Sequence, residues 1–148
     1  MIYQGKQRYP VSRVILHCAA INDGQFDGFT PHQVFTTVDA WHKERGFNNG
    51  FGYHGFFMPD GSFHAGRPNE MIGAHCKEAN RGSLGWLLIE NRKIDRIRSF
   101  DNYFTIAQSL ALRGALAQFA LHGIDHCHGH NDYTDKKLCP GFIVGDWL

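Results

Sequence analysis

The sequence predicts an α/β (α+β) protein with a central mixed β-sheet of about five strands, flanked by two long helices and a short C-terminal helix. Two observations predict this class. Segments with strand-like and helix-like patterns follow one another in the order β-α-β-β-β-α-β. The chain has 148 residues, the usual size of one domain, and no repeat or low-complexity tract divides it. We therefore expect a single domain over residues 1–148, with residues 1–11 as an N-terminal extension.

Four apolar segments supply the predicted strands. SRVILHCAA (12–20) is short and β-branched, and SLGWLLIE (83–90) is the most apolar run, which is typical of a central strand. GYHGFFMPDGSFHAG (52–66) predicts two strands around a Pro-Asp-Gly turn, and IDHCHGH (124–130) predicts a last strand. IGAHCKEANRG (72–82) is typical of a loop.

The two long helices are predicted over 29–46 and 104–123, and in the first of them apolar residues recur at helical spacing. Both segments begin with a capping box and end at a glycine. The predicted start and stop residues are Thr30, Gln33 and Gly46 for the first helix, and Thr105, Gln108 and Gly123 for the second.

Composition narrows the class of function. The formal net charge is only +1, so the sequence indicates no strongly basic surface for nucleic acid or an anionic membrane. No apolar run approaches the roughly 20 residues that cross a bilayer. The opening segment MIYQGKQRYP has no apolar signal-peptide core, which predicts synthesis in a cytoplasm.

Histidine and cysteine are the residue types that indicate chemistry. The chain has 10 histidines, more than its length usually carries. Its four cysteines form no CxxC pair, so a zinc ribbon is not indicated. In a cytoplasm we expect Cys18, Cys76, Cys127 and Cys139 to be thiols or metal ligands and not disulfides.

The segment DHCHGHNDYTDKKLCPG concentrates these residues. If His126, His128 and His130 lie in one strand, their imidazoles share a face. Catalytic zinc sites use three protein ligands from nitrogen and sulfur donors and keep a position for water. The residues alone leave alternatives open: His128, His130 and Cys139, or His130 and Cys139 with a distant histidine such as His17. A third alternative makes Cys139 a nucleophile with a histidine base.

Five motifs in order resemble a known family. They are VILHCAA, WHKERG, GYHGFFMPDGSFHAGR, IGAHCKEANRGSLG and GHNDYTDKKLCPGF. Together they resemble the zinc amidase superfamily, which comprises N-acetylmuramoyl-L-alanine amidases and the related peptidoglycan recognition proteins. Within it the T-seven-type phage lysozymes are the most similar branch. Each motif alone is weak, but five in register cover almost the whole chain.

The resemblance implies one Zn²⁺ per chain and a particular set of ligands. The histidine that ends the first strand, the histidine of the Gly-His-x-Asp step and the cysteine before proline correspond to His17, His130 and Cys139. His126 and His128 would then line the groove or serve the fold.

The resemblance also implies two catalytic residues, Tyr53 and Lys137. The loop before Lys137 is one residue longer than the family pattern, so Lys136 competes for the lysine role. Some bacterial amidases carry a catalytic glutamate in the strand after Ser-Leu-Gly. Here Leu87 occupies that place and Glu90 lies beyond it, so the tyrosine and lysine type is expected.

Substrate-binding positions are implied more loosely. His75 and Asn80 resemble groove residues of the superfamily, and Arg67 is a candidate partner for a peptide carboxylate. The alternative for Arg67 is a surface ion pair.

The expected function is hydrolysis of the amide bond between N-acetylmuramic acid and L-alanine, by a phage-type endolysin in host cell lysis. The expected partner is peptidoglycan, with no direct nucleic-acid or membrane partner, and a monomer is expected. The protein would be made in the host cytoplasm and reach the periplasm and cell wall on lysis. Two alternatives are a non-catalytic peptidoglycan-recognition protein and an additional role as an inhibitor of phage RNA polymerase, implied by a match at Lys6–Arg8.

Overall fold

The computed structural model describes residues 1–148, which form seven strands and three helices. The strands are β1 (Tyr3–Gln4), β2 (Tyr9–Pro10), β3 (Arg13–Cys18), β4 (Gly55–Phe57), β5 (Phe63–Ala65), β6 (Ser83–Leu88) and β7 (His126–Gly129). The helices are α1 (Pro31–Glu44), α2 (Ile106–Ala120) and α3 (Val144–Trp147). None of the three helices combines the length and the apolar character of a membrane span.

Five of the strands form one mixed sheet in the order β5-β4-β6-β3-β7, as the sequence predicts. Strand β6 is the central strand, and only the β4–β5 hairpin is antiparallel. Because β3 and β7 run parallel, their carboxyl ends lie at the same edge of the sheet. Leu16 pairs with Gly129, so the next residues, His17 and His130, follow side by side at that edge.

The side chains of the sheet alternate between two apolar layers. Leu16 of β3 and Trp86 of β6 lie in the layer that includes Leu112 of α2. Leu87 lies in the opposite layer, with Val34 of α1. His17 is level with Leu87 in the parallel pair, so its side chain projects towards the α1 layer. Leu87 therefore stands beside the first predicted ligand.

The predicted helix caps and the short C-terminal helix are confirmed. In both long helices the hydroxyl of the capping threonine accepts from the backbone N–H of the glutamine three residues on. The side-chain oxygen of that glutamine accepts from the backbone N–H of the threonine, and all four bonds are 2.8–3.2 Å long. The prediction of a strand through His130 is wrong by one residue, because β7 ends at Gly129 and His130 begins a 3-10 turn. The three histidines therefore do not all lie on one strand face.

The N-terminal extension forms a two-stranded sheet, β1–β2, which the sequence did not predict. Its anchor is Gln4, whose side chain is completely buried. The Gln4 amide donates to the carbonyl of Ser83 at 2.8 Å, and its oxygen accepts from the N–H of Gly82 at 2.9 Å. These bonds fix the extension against the start of β6.

Candidate metal centre

Three predicted ligands converge at the carboxyl edge of the sheet. The ligand atoms of His17, His130 and Cys139 all lie within 4.8 Å of one another. His17 Nδ1 is 3.7 Å from Cys139 Sγ, and the two imidazole centroids are 4.8 Å apart. His17 lies more than 110 positions before the other two residues in sequence, yet the three present two nitrogens and one sulfur to the same small volume.

Backbone contacts hold Cys139 in place although it lies on a loop. The N–H of Asn131 donates to the Cys139 carbonyl at 2.9 Å, and the Asn131 amide donates to the carbonyl of Phe142 at 3.1 Å. The N–H of Cys18 donates to Cys139 Sγ at 3.1 Å. The loop that follows His130 is therefore tied back to the end of β3.

The charge state of the cluster suits a divalent metal. Burial alone would raise the pKa of Cys139, but hydrogen bonds led by those from Cys18 and His130 outweigh it and hold that pKa well below the ordinary thiol value. Burial lowers the pKa of His17. A thiolate beside a neutral imidazole is the donor state that zinc requires, so these residues fit a zinc ion.

A chain of buried hydrogen bonds fixes the orientation of His17. Its Nε2 lies 2.9 Å from Nδ1 of His75, and Nε2 of His75 lies 3.4 Å from the Ser83 hydroxyl. That hydroxyl donates to the carbonyl of Ala79 at 2.6 Å, so it can accept from His75. The directions agree only if His17 carries its proton on Nε2, which leaves the Nδ1 lone pair facing Cys139.

The His75 ring occupies space that two glycines leave free. A Cβ at Gly85 would lie 2.4 Å from the ring, and a Cβ at Gly73 would lie 2.5 Å from it. Burial lowers the pKa of His75 well below the ordinary histidine value. His75 is therefore a neutral residue packed behind His17, and the predicted role of His75 in the substrate groove stays a prediction.

The other two predicted groove residues also make internal contacts. The Asn80 side-chain oxygen accepts from the N–H groups of His75 and Cys76, both at 2.9 Å. Arg67 is only 9% exposed, and its guanidinium donates to the backbone carbonyls of Gly50, Phe51 and Ile72 at 2.9–3.3 Å. No surface ion pair forms at Arg67. These contacts support the fold, and a role in substrate binding stays a prediction.

Tyr53 lies beside the cluster. Its ring centroid is 5.1 Å from that of His17, and its hydroxyl makes no hydrogen bond within the protein. Burial, followed by the charge of Cys139, raises the pKa of Tyr53. The phenol is therefore protonated and free to donate to a bound group. Lys136 and Lys137 are exposed, and neither amine makes an ion pair or hydrogen bond within the protein.

The remaining candidates lie outside the cluster. Nδ1 of His128 is 2.8 Å from the Tyr133 hydroxyl, and His126 is exposed beside Asp125. The arrangement therefore favours His17 over His128 as the third ligand. The Glu90 carboxylate accepts from the backbone N–H groups of residues 19–21, so it supports the loop after β3.

Two features of the site were not predicted from the sequence: the contact of Ser83 with His75, and a second group of possible metal ligands. Ser83 carries no signal in the sequence that links it to a histidine eight positions earlier. Glu78 and Cys76 lie in a predicted loop, yet with His130 they form a second group whose ligand atoms lie within 4.8 Å of one another.

Solved structures with this fold define the class. N-acetylmuramoyl-L-alanine amidase LysC from Clostridium intestinale superposes with a TM-score of 0.69 at 24% identity, over 94% of this chain and 83% of that one. Peptidoglycan recognition protein-LE, in complex with tracheal cytotoxin, superposes with a TM-score of 0.71 at 21% identity, over 90% of this chain and 76% of that one. The chain thus has the fold shared by these amidases and recognition proteins. It matches no protein-family model.

Sequence relatives define the family more narrowly. The endolysin of Escherichia phage T7 is 32% identical over 145 residues, which are 97% of this chain and 89% of that protein. The endolysin of Klebsiella phage KP32 is 30% identical, again over 97% of this chain and 89% of that protein. The chain belongs to this family of phage endolysins.

Proposed function

We propose that the chain is a zinc-dependent N-acetylmuramoyl-L-alanine amidase, which hydrolyses the bond between N-acetylmuramic acid and L-alanine in peptidoglycan during host cell lysis. The observation that carries the proposal is the convergence of His17, His130 and Cys139 within 4.8 Å in a chain of the endolysin family. The amidase fold of LysC supports the reaction, and the complex of recognition protein-LE with a peptidoglycan fragment supports the substrate class.

His17, His130 and Cys139 would hold one Zn²⁺ per chain. Bound zinc supplies a Lewis acid and lowers the pKa of water from about 15.7 towards roughly 7, which provides a nucleophile at neutral pH. The protein favours the deprotonated forms of His17 and Cys139, through burial of His17 and hydrogen bonds to the Cys139 sulfur. It leaves room for a non-protein group, because no fourth protein ligand belongs to this group.

Tyr53 would orient the reacting amide. Its protonated hydroxyl, unpaired within the protein, can donate to the carbonyl oxygen as negative charge develops there. Lys137 would bring a cation towards the same oxygen from its exposed loop, with Lys136 as the competing candidate. Replacing each lysine by alanine decides between them, because only one substitution should lower kcat.

The test of the proposed function is clearing of outer-membrane-stripped bacteria, followed as a fall in turbidity. The wild type should clear the suspension and release new L-alanine amino termini. A chelator and Cys139→Ser should each abolish both effects. Clearing that releases reducing sugar ends in place of L-alanine termini would refute the amidase assignment.

A recognition module without turnover is the second candidate, because recognition proteins share the fold. It predicts binding to peptidoglycan without clearing. The complete ligand set favours the enzyme, since binding alone needs no hydrolytic metal.

An additional role as an inhibitor of phage RNA polymerase rests on the β1–β2 hairpin. Its turn presents Lys6, Gln7 and Arg8 to solvent, with the Arg8 guanidinium 4.5 Å from the Tyr3 ring centroid. Pull-down of the cognate polymerase tests this role, with Lys6→Glu/Arg8→Glu as the control variant. Unchanged transcription at saturating protein would exclude inhibition.

We also propose that the enzyme acts as a monomer and reaches the cell wall from the host cytoplasm at lysis. Sedimentation of the purified protein tests the monomer. Fractionation of infected cells before and after lysis onset tests the location, and early enrichment in the periplasm would contradict it.

A further inference from the structure

A second group of metal-ligating side chains lies against the first. Cys76, Glu78 and His130 each offer one ligand atom, and these atoms lie within 4.8 Å of one another. Cys76 is 1% exposed, whereas Glu78 is exposed to solvent. The group shares His130 with the candidate zinc site and contributes two residues that the proposed reaction does not use.

The loop places the thiol and the carboxylate together before any ion binds. The Asn80 side chain holds the N–H groups of His75 and Cys76, and the N–H of Ala79 donates to the Cys76 carbonyl at 2.8 Å. The resulting turn brings Cys76 Sγ within 3.7 Å of a Glu78 carboxylate oxygen. The backbone of the turn is therefore already in place when an ion arrives, and only the Glu78 side chain remains to be ordered.

We propose that Cys76, Glu78 and His130 form a second site for a thiophilic divalent cation such as Zn²⁺, and that an ion bound there withdraws His130 from the first site. Sulfur, imidazole nitrogen and carboxylate oxygen are the ligand types that zinc takes in proteins. A neutral imidazole has only one nitrogen lone pair, so His130 cannot serve both sites at once. Excess zinc then inhibits the enzyme.

The two sites fill in a defined order. Buried His17 and partly buried Cys139 come from a strand end and a tied loop, whereas the exposed Glu78 side chain must lose rotamer freedom to bind. The first site therefore fills first, and the second fills only when zinc exceeds one equivalent. Inhibition depends on the proposed amidase function, but binding of the ion does not.

The binding test uses Co²⁺, because a thiolate ligand gives it a charge-transfer absorption. In Cys139→Ser the first site has lost its sulfur, and we expect a thiolate–cobalt band that disappears in Cys139→Ser/Cys76→Ser. Cys139→Ser/Cys127→Ser is the matched control and should keep the band. Absence of the band from folded Cys139→Ser, checked by circular dichroism, would overturn the proposal.

The activity test titrates Zn²⁺ beyond one equivalent. The wild type should lose activity, and in Glu78→Gln the inhibitory midpoint should rise at least about tenfold, each protein being compared with its own activity at one equivalent. Equal inhibitory midpoints in the wild type and Glu78→Gln would overturn the proposal that the two sites compete for His130. If no protein clears peptidoglycan, the proposed function fails, while the cobalt band still decides the second site.

Discussion

Replacing His75 by phenylalanine tests the hydrogen-bond chain behind the metal centre. The substitution keeps an aromatic ring in the space left by Gly73 and Gly85 but removes both ring nitrogens. His17, only 1% exposed, then loses the partner of its Nε2 at 2.9 Å. We expect weaker zinc binding with the fold retained.

The magnitude follows from where the proton must lie. In metal-free His75→Phe the His17 ring can carry its proton on Nδ1. A metal on Nδ1 forces that proton onto Nε2, where the variant offers no acceptor. A buried unpaired donor costs about 1–3 kcal/mol, which corresponds to roughly 5- to 150-fold in zinc affinity. Loss of such outer-shell partners typically costs about 10- to 100-fold, in the same range.

The assay is competition for zinc against a chromophoric chelator, read beside kcat and KM. The zinc Kd should rise in His75→Phe, with a smaller rise in Ser83→Ala, which removes only the far end of the chain. If His75 instead lines the groove, as the sequence suggested, KM rises and the zinc Kd stays unchanged. An unchanged zinc Kd in folded protein would refute the positioning role.

Three further predictions follow from contacts in the same layer. Tyr53→Phe should lower kcat at least about tenfold with full zinc content, measured by metal analysis and product release; equal kcat would remove the tyrosine from the reaction. Burial lowers the pKa of His42 from 6.5 to about 4, so the native state binds fewer protons than the unfolded chain between these values. The unfolding free energy should therefore fall by up to about 3 kcal/mol as pH falls through that window, and His42→Asn, but not the exposed His122→Asn, should flatten this slope in urea titrations. Gly85→Ala should displace the His75 ring and cost about 1–3 kcal/mol of stability together with zinc affinity, whereas wild-type values for both would contradict the close packing.

Much of the fold could be predicted because its signals are local. Capping boxes at Thr30 and Thr105 determine where the helices begin, and the Pro-Asp-Gly turn determines the β4–β5 hairpin. The β1–β2 sheet was missed because its stability comes from Gln4 bonding to residues some 80 positions away. His130 was placed in a strand because alternation cannot show where pairing stops.

For the metal centre, the ligand residues could be predicted from the sequence but the contacts around them could not. The resemblance pointed to His17, His130 and Cys139, and the structure brings them together, but the residues alone could not exclude His128. The contacts of His75, Arg67 and the Cys76–Glu78 pair are products of tertiary packing that no spacing in the sequence encodes. Sequence interpretation therefore identified which residue types matter, but it could not give the internal contacts that these residues make.

X-ray absorption at the zinc edge tests the central claim most directly, on protein loaded with one equivalent of zinc. The account predicts one ion per chain with two nitrogen ligands at about 2.0–2.1 Å and one sulfur at about 2.3 Å, and loss of the sulfur signal in Cys139→Ser. A first shell without sulfur in the wild type, or an unchanged shell in Cys139→Ser, would contradict it.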